Sequence, residues 1–230
     1  MRKRLSCSTL FFGNTFGAIL LLHCIVFAYR PFSTEDAGVG ALKENVLETA
    51  WELTNNSGSA QHAFVHALVV GLDKAELIFE APYVLNGDEK GLAEAVIAAK
   101  VLLFGSDETT GMFTLKTEFA APDNSFGLSA VGTKAFGRLC MNCQLGWCND
   151  FAHNSAFYGI AFDYGVVRWM NVVAEVAGGY CRWGHLKPVN CMAGFILAPL
   201  EKLFIDIAAG AGLTGDADDF VMTSGLTFVF

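Results

Sequence analysis

From residue 41 to the last residue, Phe230, apolar and polar side chains alternate with a period of two in stretches of about ten residues, each bounded by Gly, Asn, Asp or Pro clusters. Period two belongs to strands whose two faces meet different surroundings. The stretches predict about twelve strands, at 41 to 53, 61 to 72, 75 to 84, 91 to 104, 110 to 121, 126 to 135, 137 to 148, 155 to 165, 168 to 180, 188 to 198, 201 to 212 and 219 to 230. The last is the clearest. Phe220, Met222, Leu226, Phe228 and Phe230 share one parity, Val221, Thr223, Gly225 and Thr227 the other, so one face suits lipid and the opposite face a lumen. Taken alone it would also suit an amphipathic strand of a soluble sandwich.

The connections decide between those two. Leu72 to Ala75, Lys134 to Gly137, Gly165 to Val167 and Ala198 to Leu200 are tight, whereas Thr54 to Ala60, Asn86 to Lys90, Asn149 to Asn154 and Cys181 to Lys187 are longer. Short turns on one side and long loops on the other are the habit of outer-membrane barrels, which in single-chain bacterial form also have an even strand number. Gly105 to Thr110 breaks the alternation, being longer than the other turns on its side. The predicted fold is therefore all-β: a transmembrane antiparallel up-and-down barrel of about twelve strands spanning 41 to 230, with both termini in the periplasm.

The start of the chain fits export. Arg2, Lys3 and Arg4 precede an apolar stretch from Ala18 to Ala28, and Val26-Phe27-Ala28 suits cleavage, so 1 to 28 reads as a signal peptide and 29 to 40 as an N-terminal periplasmic segment. A single membrane anchor is the alternative, but Asn14, Thr15 and His23 interrupt the stretch. Leu21-Leu22-His23-Cys24 is a poor lipoprotein site because His stands where a small residue is wanted. Removing the leader takes three of the 15 bases and none of the 23 acids, leaving eleven more acids than bases. That charge excludes nucleic acid as a natural partner. Hydrophobic residues make up 53% of the chain and mean hydropathy is +0.41, yet after Tyr29 no apolar run approaches the ~20 residues of a membrane helix. A closed barrel resolves the contradiction, since it shows lipid only every second side chain. The expected location is the bacterial outer membrane, the expected partners its lipid and the barrel-assembly machinery, with Phe230 as the assembly signal.

Charge placement assigns the faces. The lumen-lining candidates are the acids Glu44, Glu48, Glu52, Glu76, Glu80, Glu94, Glu118, Asp163, Glu175 and Asp206, the bases Lys100, Lys116 and Arg138, and the imidazoles His62 and His66. The opposite parity is apolar: Val65, Ala67 and Val69, then Leu77 and Phe79, Ile97, Ala99 and Val101, and Phe113, Leu115 and Phe119. A charge turned to mid-membrane lipid would cost about 2–4 kcal/mol. Trp51, Tyr83, Trp147, Tyr158, Tyr164 and Trp169 sit near strand ends on the lipid side, where interfacial girdles form. Ten acids against three bases make an acidic lumen. Open, it would favour cations or neutral solutes; plugged, the same groups would form a packed polar network, with Arg30 entering from the periplasm as one plug candidate.

Reactive residues are present without a catalytic constellation. His153 and Ser155 form the His-x-Ser spacing of outer-membrane lipid hydrolases, but Ala156 follows where those enzymes place Asn, and Asp163 lies roughly 26 Å along an extended strand from Ser155. Cys140 and Cys143 point to opposite faces of a strand, and Cys140 and Cys148 are roughly 26 Å apart, so neither pair can bridge or chelate. Cys181 and Cys191 flank one outer loop and form the candidate disulfide, the alternative being free thiols acting as small apolar residues. His62 and His66 are about 13 Å apart on a strand, too far to share a metal. No cofactor, metal or catalytic residue is expected.

Three stretches resemble the outer-membrane barrels of the "MetA-pathway of phenol degradation" transporter family. Arg30-Pro31-Phe32-Ser33-Thr34-Glu35-Asp36-Ala37 is similar to the family's Arg-Pro-x-x-Thr-x-Asp-Ala opening. Gly91-Leu92-Ala93-Glu94 with Lys100 and Phe104 resembles its Gly-x-x-Asp strand ending in Lys-x-x-Phe, with Glu94 in place of Asp. Tyr158 to Tyr164, Val173 to Val176, Phe204 to Thr214, and Asp219-Phe220 with Gly225 to Phe230 follow in the family's order. Cys140 to Cys148 departs from it in being cysteine-rich. The resemblance implies a path for small, often hydrophobic or aromatic solutes and no catalytic residues. The function expected is thus a passive or gated path for a small solute. The alternatives are a closed structural or binding barrel acting through its outer loops and, behind it, a lipid hydrolase.

Overall fold

The computed structural model describes residues 32–86, 90–121, 124–149, 154–181 and 187–230. The expected signal peptide, Arg30 and His153 lie outside them. The elements are β1 (Asn45–Asn56), β2 (Ser59–Gly71), β3 (Ala75–Val84), β4 (Gly91–Leu92), β5 (Ala95–Phe104), β6 (Met112–Ala121), β7 (Ser125–Phe136), β8 (Leu139–Asn149), β9 (Asn154–Val167), β10 (Met170–Cys181), β11 (Val189–Leu200), β12 (Leu203–Gly212) and β13 (Phe220–Val229). Twelve are long; β4 is a two-residue pairing on the last part of β3. Every long strand pairs antiparallel with its long neighbours in sequence, and β1 pairs with β13, so the sheet closes on itself. At the seam the backbones of Asn45 and Phe230 exchange two hydrogen bonds, of 3.0 and 2.9 Å. Closure leaves no long strand with an unpaired edge, which is what lets a sheet sit in hydrocarbon.

Two sequence expectations shift at the boundaries. The first strand starts at Asn45 rather than 41, because Lys43 turns with φ 69° and the Glu44 side chain accepts the Ala41 amide at 3.1 Å. The strand expected over 91 to 104 breaks between Leu92 and Ala95. Both tight and long connections use local chemistry. The Thr54 to Ala60 connection, expected to be long, is instead a two-residue hairpin: Ser57 (φ 52°) and Gly58 (φ 82°) both take left-handed conformations, which suit right-handed strand twist, and Asp219 accepts the Ser57 amide at 2.8 Å. The Gly105 to Gly111 turn is organised by Asp107, whose carboxylate accepts the Thr109 hydroxyl and the Thr110 amide; these bonds hold its carboxyl down at about 2.

The two faces follow from strand parity and cross-strand register. Outward side chains form aromatic clusters near both ends: Trp51, Phe64, Tyr83, Phe126, Trp147, Tyr158 and Tyr180 at the loop end, and Phe104, Phe113, Phe136, Tyr164, Trp169, Phe228 and Phe230 at the end where β13 finishes and β1 begins. Neighbouring rings pack edge-on or stacked, as with Phe126 and Trp147 (centroids 6.4 Å apart) and Phe228 and Phe230 (6.2 Å). Buried apolar side chains occur at interior parity on several strands, among them Val131, Val173 and Ile196, and they cluster on one wall. Val46, Ala50, Val65, Ala67 and Val229 are buried inside β13, β1 and β2, with Val69 and Phe204 against them.

That wall corrects the reading of β2. Glu48 lies opposite Ala67, Ala50 opposite Val65 and Glu52 opposite Ala63, and directly paired residues share a face. Val65, Ala67 and Val69 therefore face the interior, and His62 and His66, expected in the lumen, face outward. Trp51 stacks on His62 at 5.7 Å and Phe64 on His66 at 6.3 Å. Both faces of β2 are largely apolar, so charge parity had nothing to act on. A second correction concerns the segment assigned to the periplasm. Residues 32–40 instead lie within the barrel, where Thr34, Asp36, Ala37 and Gly40 are buried.

Candidate functional site

The interior is crossed by this N-terminal segment, held mainly through its backbone. Ser33 and Thr34 donate their amides to the two oxygens of Glu175 on β10, at 3.3 and 3.1 Å. Glu35 donates to Gln144 Oε1 on β8 at 2.9 Å, Ala37 to Thr133 Oγ1 on β7 at 2.7 Å, and Gly40 to Glu76 Oε2 on β3 at 2.8 Å. Within the segment, Asp36 accepts the Gly38 amide at 2.6 Å, a local turn that lets the chain bend inside the lumen. A buried backbone amide without a partner costs about 1–3 kcal/mol, so a plug can dock only where the wall supplies an acceptor for each.

The strands supply these acceptors at interior parity. Thr133 and Asn142 are direct cross-strand partners, and Thr133, accepting from Ala37, donates to Asn142 Oδ1 at 2.7 Å. Gln144, accepting from Glu35, donates to Ser129 Oγ at 3.4 Å. Space is supplied too. A Cβ added to Gly159 on β9 would overlap Thr34 Oγ1, so the bare backbone of Gly159 forms the seat of the plug. Sequence reasoning missed Ser129, Thr133, Asn142, Gln144 and Gly159. All five sit at interior parity of their strands, but none carries a charge to mark it.

Charged side chains grip the other side of the segment. Lys100 on β5 and Lys116 on β6 are direct cross-strand partners. Lys100 Nζ lies 3.2 Å from Glu76, 3.7 Å from Glu35 and 3.8 Å from Asp36. Lys116 Nζ lies 3.1 Å from Glu118 and hydrogen-bonds the other oxygen of Glu35. Thus the Glu35 carboxylate bridges two lysines. Exposure grades across this network: side-chain exposure is 4% and 1% at Lys100 and Asp36, but 12%, 22% and 30% at Lys116, Glu35 and Glu118. Lys100 is thus sealed, whereas Lys116 beside it stays partly accessible.

The remaining candidates divide as follows. Glu48, Glu52, Glu80 and Glu94 are half-buried on the interior side, and Glu94 accepts the Ser125 hydroxyl at 3.1 Å. Asp163, Glu175 and Asp206 are deeply buried there. Glu44 sits at the lip, before β1. Arg138, expected in the lumen, is exposed in the turn after β7 and donates to the Val166 carbonyl at 3.3 Å, because Gly137 and Arg138 form the hairpin itself. The expected Cys181–Cys191 bridge is also corrected. Cys191 is a free thiol directed at the Ala211 carbonyl, 3.6 Å away, and it pairs with Val176, five positions from Cys181 along β10. Five strand positions are about 16 Å, beyond the reach of a disulfide. Ser155 lies in β9 between Cys148 and Cys181. Among the described residues no three His, Cys, Asp or Glu side chains are grouped as a metal site.

The architecture defines a closed twelve-strand antiparallel barrel of the outer-membrane porin type. Solved structures with the same architecture include the NanC porin (TM-score 0.63, 9% identity, covering 79% of this chain and 98% of that one) and the KdgM porin (TM-score 0.62, 7% identity, covering 80% and 99%). Identities this low establish a shared fold. No family model matches the chain, that of the phenol-degradation barrels included, and no curated protein matches it either.

Proposed function

We propose that this protein is an outer-membrane barrel that provides a gated path for a small solute, the gate being its own N-terminal segment. The observation that carries the reading is the docking of residues 33 to 40 onto Glu175, Gln144, Thr133 and Glu76. Those bonds run from wall side chains to amides of the segment and take no part in strand pairing, so the segment can leave while the wall keeps its own ladder. A purely structural barrel would be served better by interior side chains packed against one another. The acid excess of the interior sets the field met by an entering solute and disfavours simple anions. The resemblance to phenol-degradation barrels suggests a hydrophobic or aromatic solute. Phe230, stacked on Phe228 and hydrogen-bonded across the seam, is the expected recognition element for the assembly machinery.

Planar-bilayer conductance tests the reading. Full-length mature protein is expected to be mostly closed, and a variant lacking residues 32–40 to conduct steadily, with both showing heat-modifiable mobility on a denaturing gel as the mark of a folded barrel. A folded deletion variant that stays silent would establish the alternative, a closed barrel working through its outer loops.

A further inference from the structure

The bridging of Lys100 and Lys116 by one carboxylate describes a ligand site as well as a latch. Glu35 is the group that occupies it. Its two oxygens are shared between the two ammonium groups, one of them hydrogen-bonded by Lys116 and the other 3.7 Å from Lys100. Apart from the Asp36 carboxylate, 3.8 Å from Lys100, and the Thr34 side chain seated on Gly159, the segment is held by backbone amides, so carboxylates are what the lysines recognise in the plug. Any solute carboxylate that reaches Lys116 competes for the same positions. Lys116, Glu35 and Glu118 keep 12%, 22% and 30% of their side-chain surface accessible, whereas Lys100 and Asp36 keep 4% and 1%, so an entering solute meets Lys116 before Lys100.

Charge balance narrows the class of solute. When the plug leaves, Glu35 and Asp36 go with it. Lys100 then retains Glu76 at 3.2 Å and Lys116 retains Glu118 at 3.1 Å, two balanced pairs. A simple anion bound there would place its charge beside the Glu118 carboxylate and within an acidic lumen. A solute carrying a cationic group as well presents its carboxylate to Lys116 and its cation to Glu118, and adds no net charge to a weakly hydrated site. We propose that the gate is released by a small zwitterionic carboxylate, which displaces Glu35 from Lys116 and Lys100 and so frees the segment from the interior. The inference rests on the gated-path reading above.

Three probes built on one ring separate the components: 4-(aminomethyl)benzoate as the zwitterion, benzoate as the anion and benzylammonium as the cation. Each is added at equal ionic strength to full-length mature protein in a planar bilayer. The zwitterion is expected to raise the open probability about ten- to hundredfold, the factor carried by one charge-assisted hydrogen bond, with benzoate weaker and benzylammonium inert. Glu35→Gln should open the path to a similar degree without any probe, and Lys116→Gln, which breaks the same pair, should raise the basal open probability and lose the response, both keeping heat-modifiable mobility. Equal responses to the zwitterion and benzylammonium would overturn carboxylate recognition, and benzoate matching the zwitterion would overturn the zwitterionic class. A deletion variant lacking 32–40 that conducts, beside wild type that ignores all three probes, would overturn this inference while leaving the gated path standing. A silent deletion variant would remove both.

Discussion

The Thr34 hydroxyl fills the volume that a side chain on Gly159 would need. One side chain of the plug and one missing side chain of the wall therefore define a single docked position for residues 32–40. Replacing Gly159 with Val puts branched carbon where Thr34 stands, and the three nearest atoms all belong to the short, buried Thr34 side chain. The segment should then fail to dock while β9, a Val-tolerant strand, keeps its pairing with β8 and β10. Gly159→Val is expected to show continuous conductance and rapid proteolytic loss of the N-terminus, with unaltered heat-modifiable mobility.

The Thr133 hydroxyl serves two masters, accepting from the Ala37 amide and donating to Asn142. Thr133→Val preserves shape and removes both bonds, leaving a buried amide and a buried amide oxygen without this partner. Each orphan costs about 1–3 kcal/mol. Because the Ala37 share falls on docking and the Asn142 share on the barrel, the variant should increase protease access to the N-terminal segment at least tenfold and lower the urea midpoint of the barrel modestly. Limited proteolysis and urea titration in detergent read the two separately.

His66 faces outward at mid-strand, opposite Thr49 and Ala81. An imidazole turned to hydrocarbon is a cost of about 1–3 kcal/mol that an apolar residue would not incur. His66→Leu should therefore raise the unfolding midpoint and leave ion selectivity untouched. A change in selectivity with no gain in stability would return His66 to the lumen.

Asp107 anchors the turn between β5 and β6, and its carboxyl is depressed from an ordinary 3.8 to about 2 by bonds from Thr109 and Thr110. A depressed carboxyl contributes its stabilisation above the unfolded value and loses it as pH falls through the folded one. The protection of the Thr110 amide, its exchange rate relative to the unstructured rate at the same pH, should accordingly be full above pH 3.8 and fall as the pH drops toward about 2. In Asp107→Ala the protection should be absent throughout, which hydrogen exchange followed by mass spectrometry can register.

Much of this molecule was legible in the sequence for a specific reason. A membrane strand must alternate, its charges must turn inward, and its turns must be Gly- or Asp-rich, so β3, β5, β6, β9 and β13 declare their faces. Glu76, Lys100, Lys116, Glu118 and Asp163 could be given a side without knowing any neighbour. β2 could not, because His62, Phe64, His66 and Leu68 on one side and Ala63, Val65, Ala67 and Val69 on the other are both compatible with lipid. Only pairing with Glu48 and Glu52 on β1 settled it. The same limit applied to Cys181 and Cys191, neighbours across a loop in sequence but staggered by register in the sheet.

What the sequence determined by itself was the barrel: strand number, closure, the acidic interior and the aromatic rims, since each is a one-dimensional periodicity imposed by the bilayer. What only the tertiary structure decided was the state of the lumen. Residues 32–40 carry no periodicity, and their docking depends on acceptors from β3, β7, β8 and β10 converging on successive amides, with Gly159 leaving room and two lysines sharing Glu35. Convergence of that kind arises from the curvature of a closed sheet, and no stretch of the chain contains it.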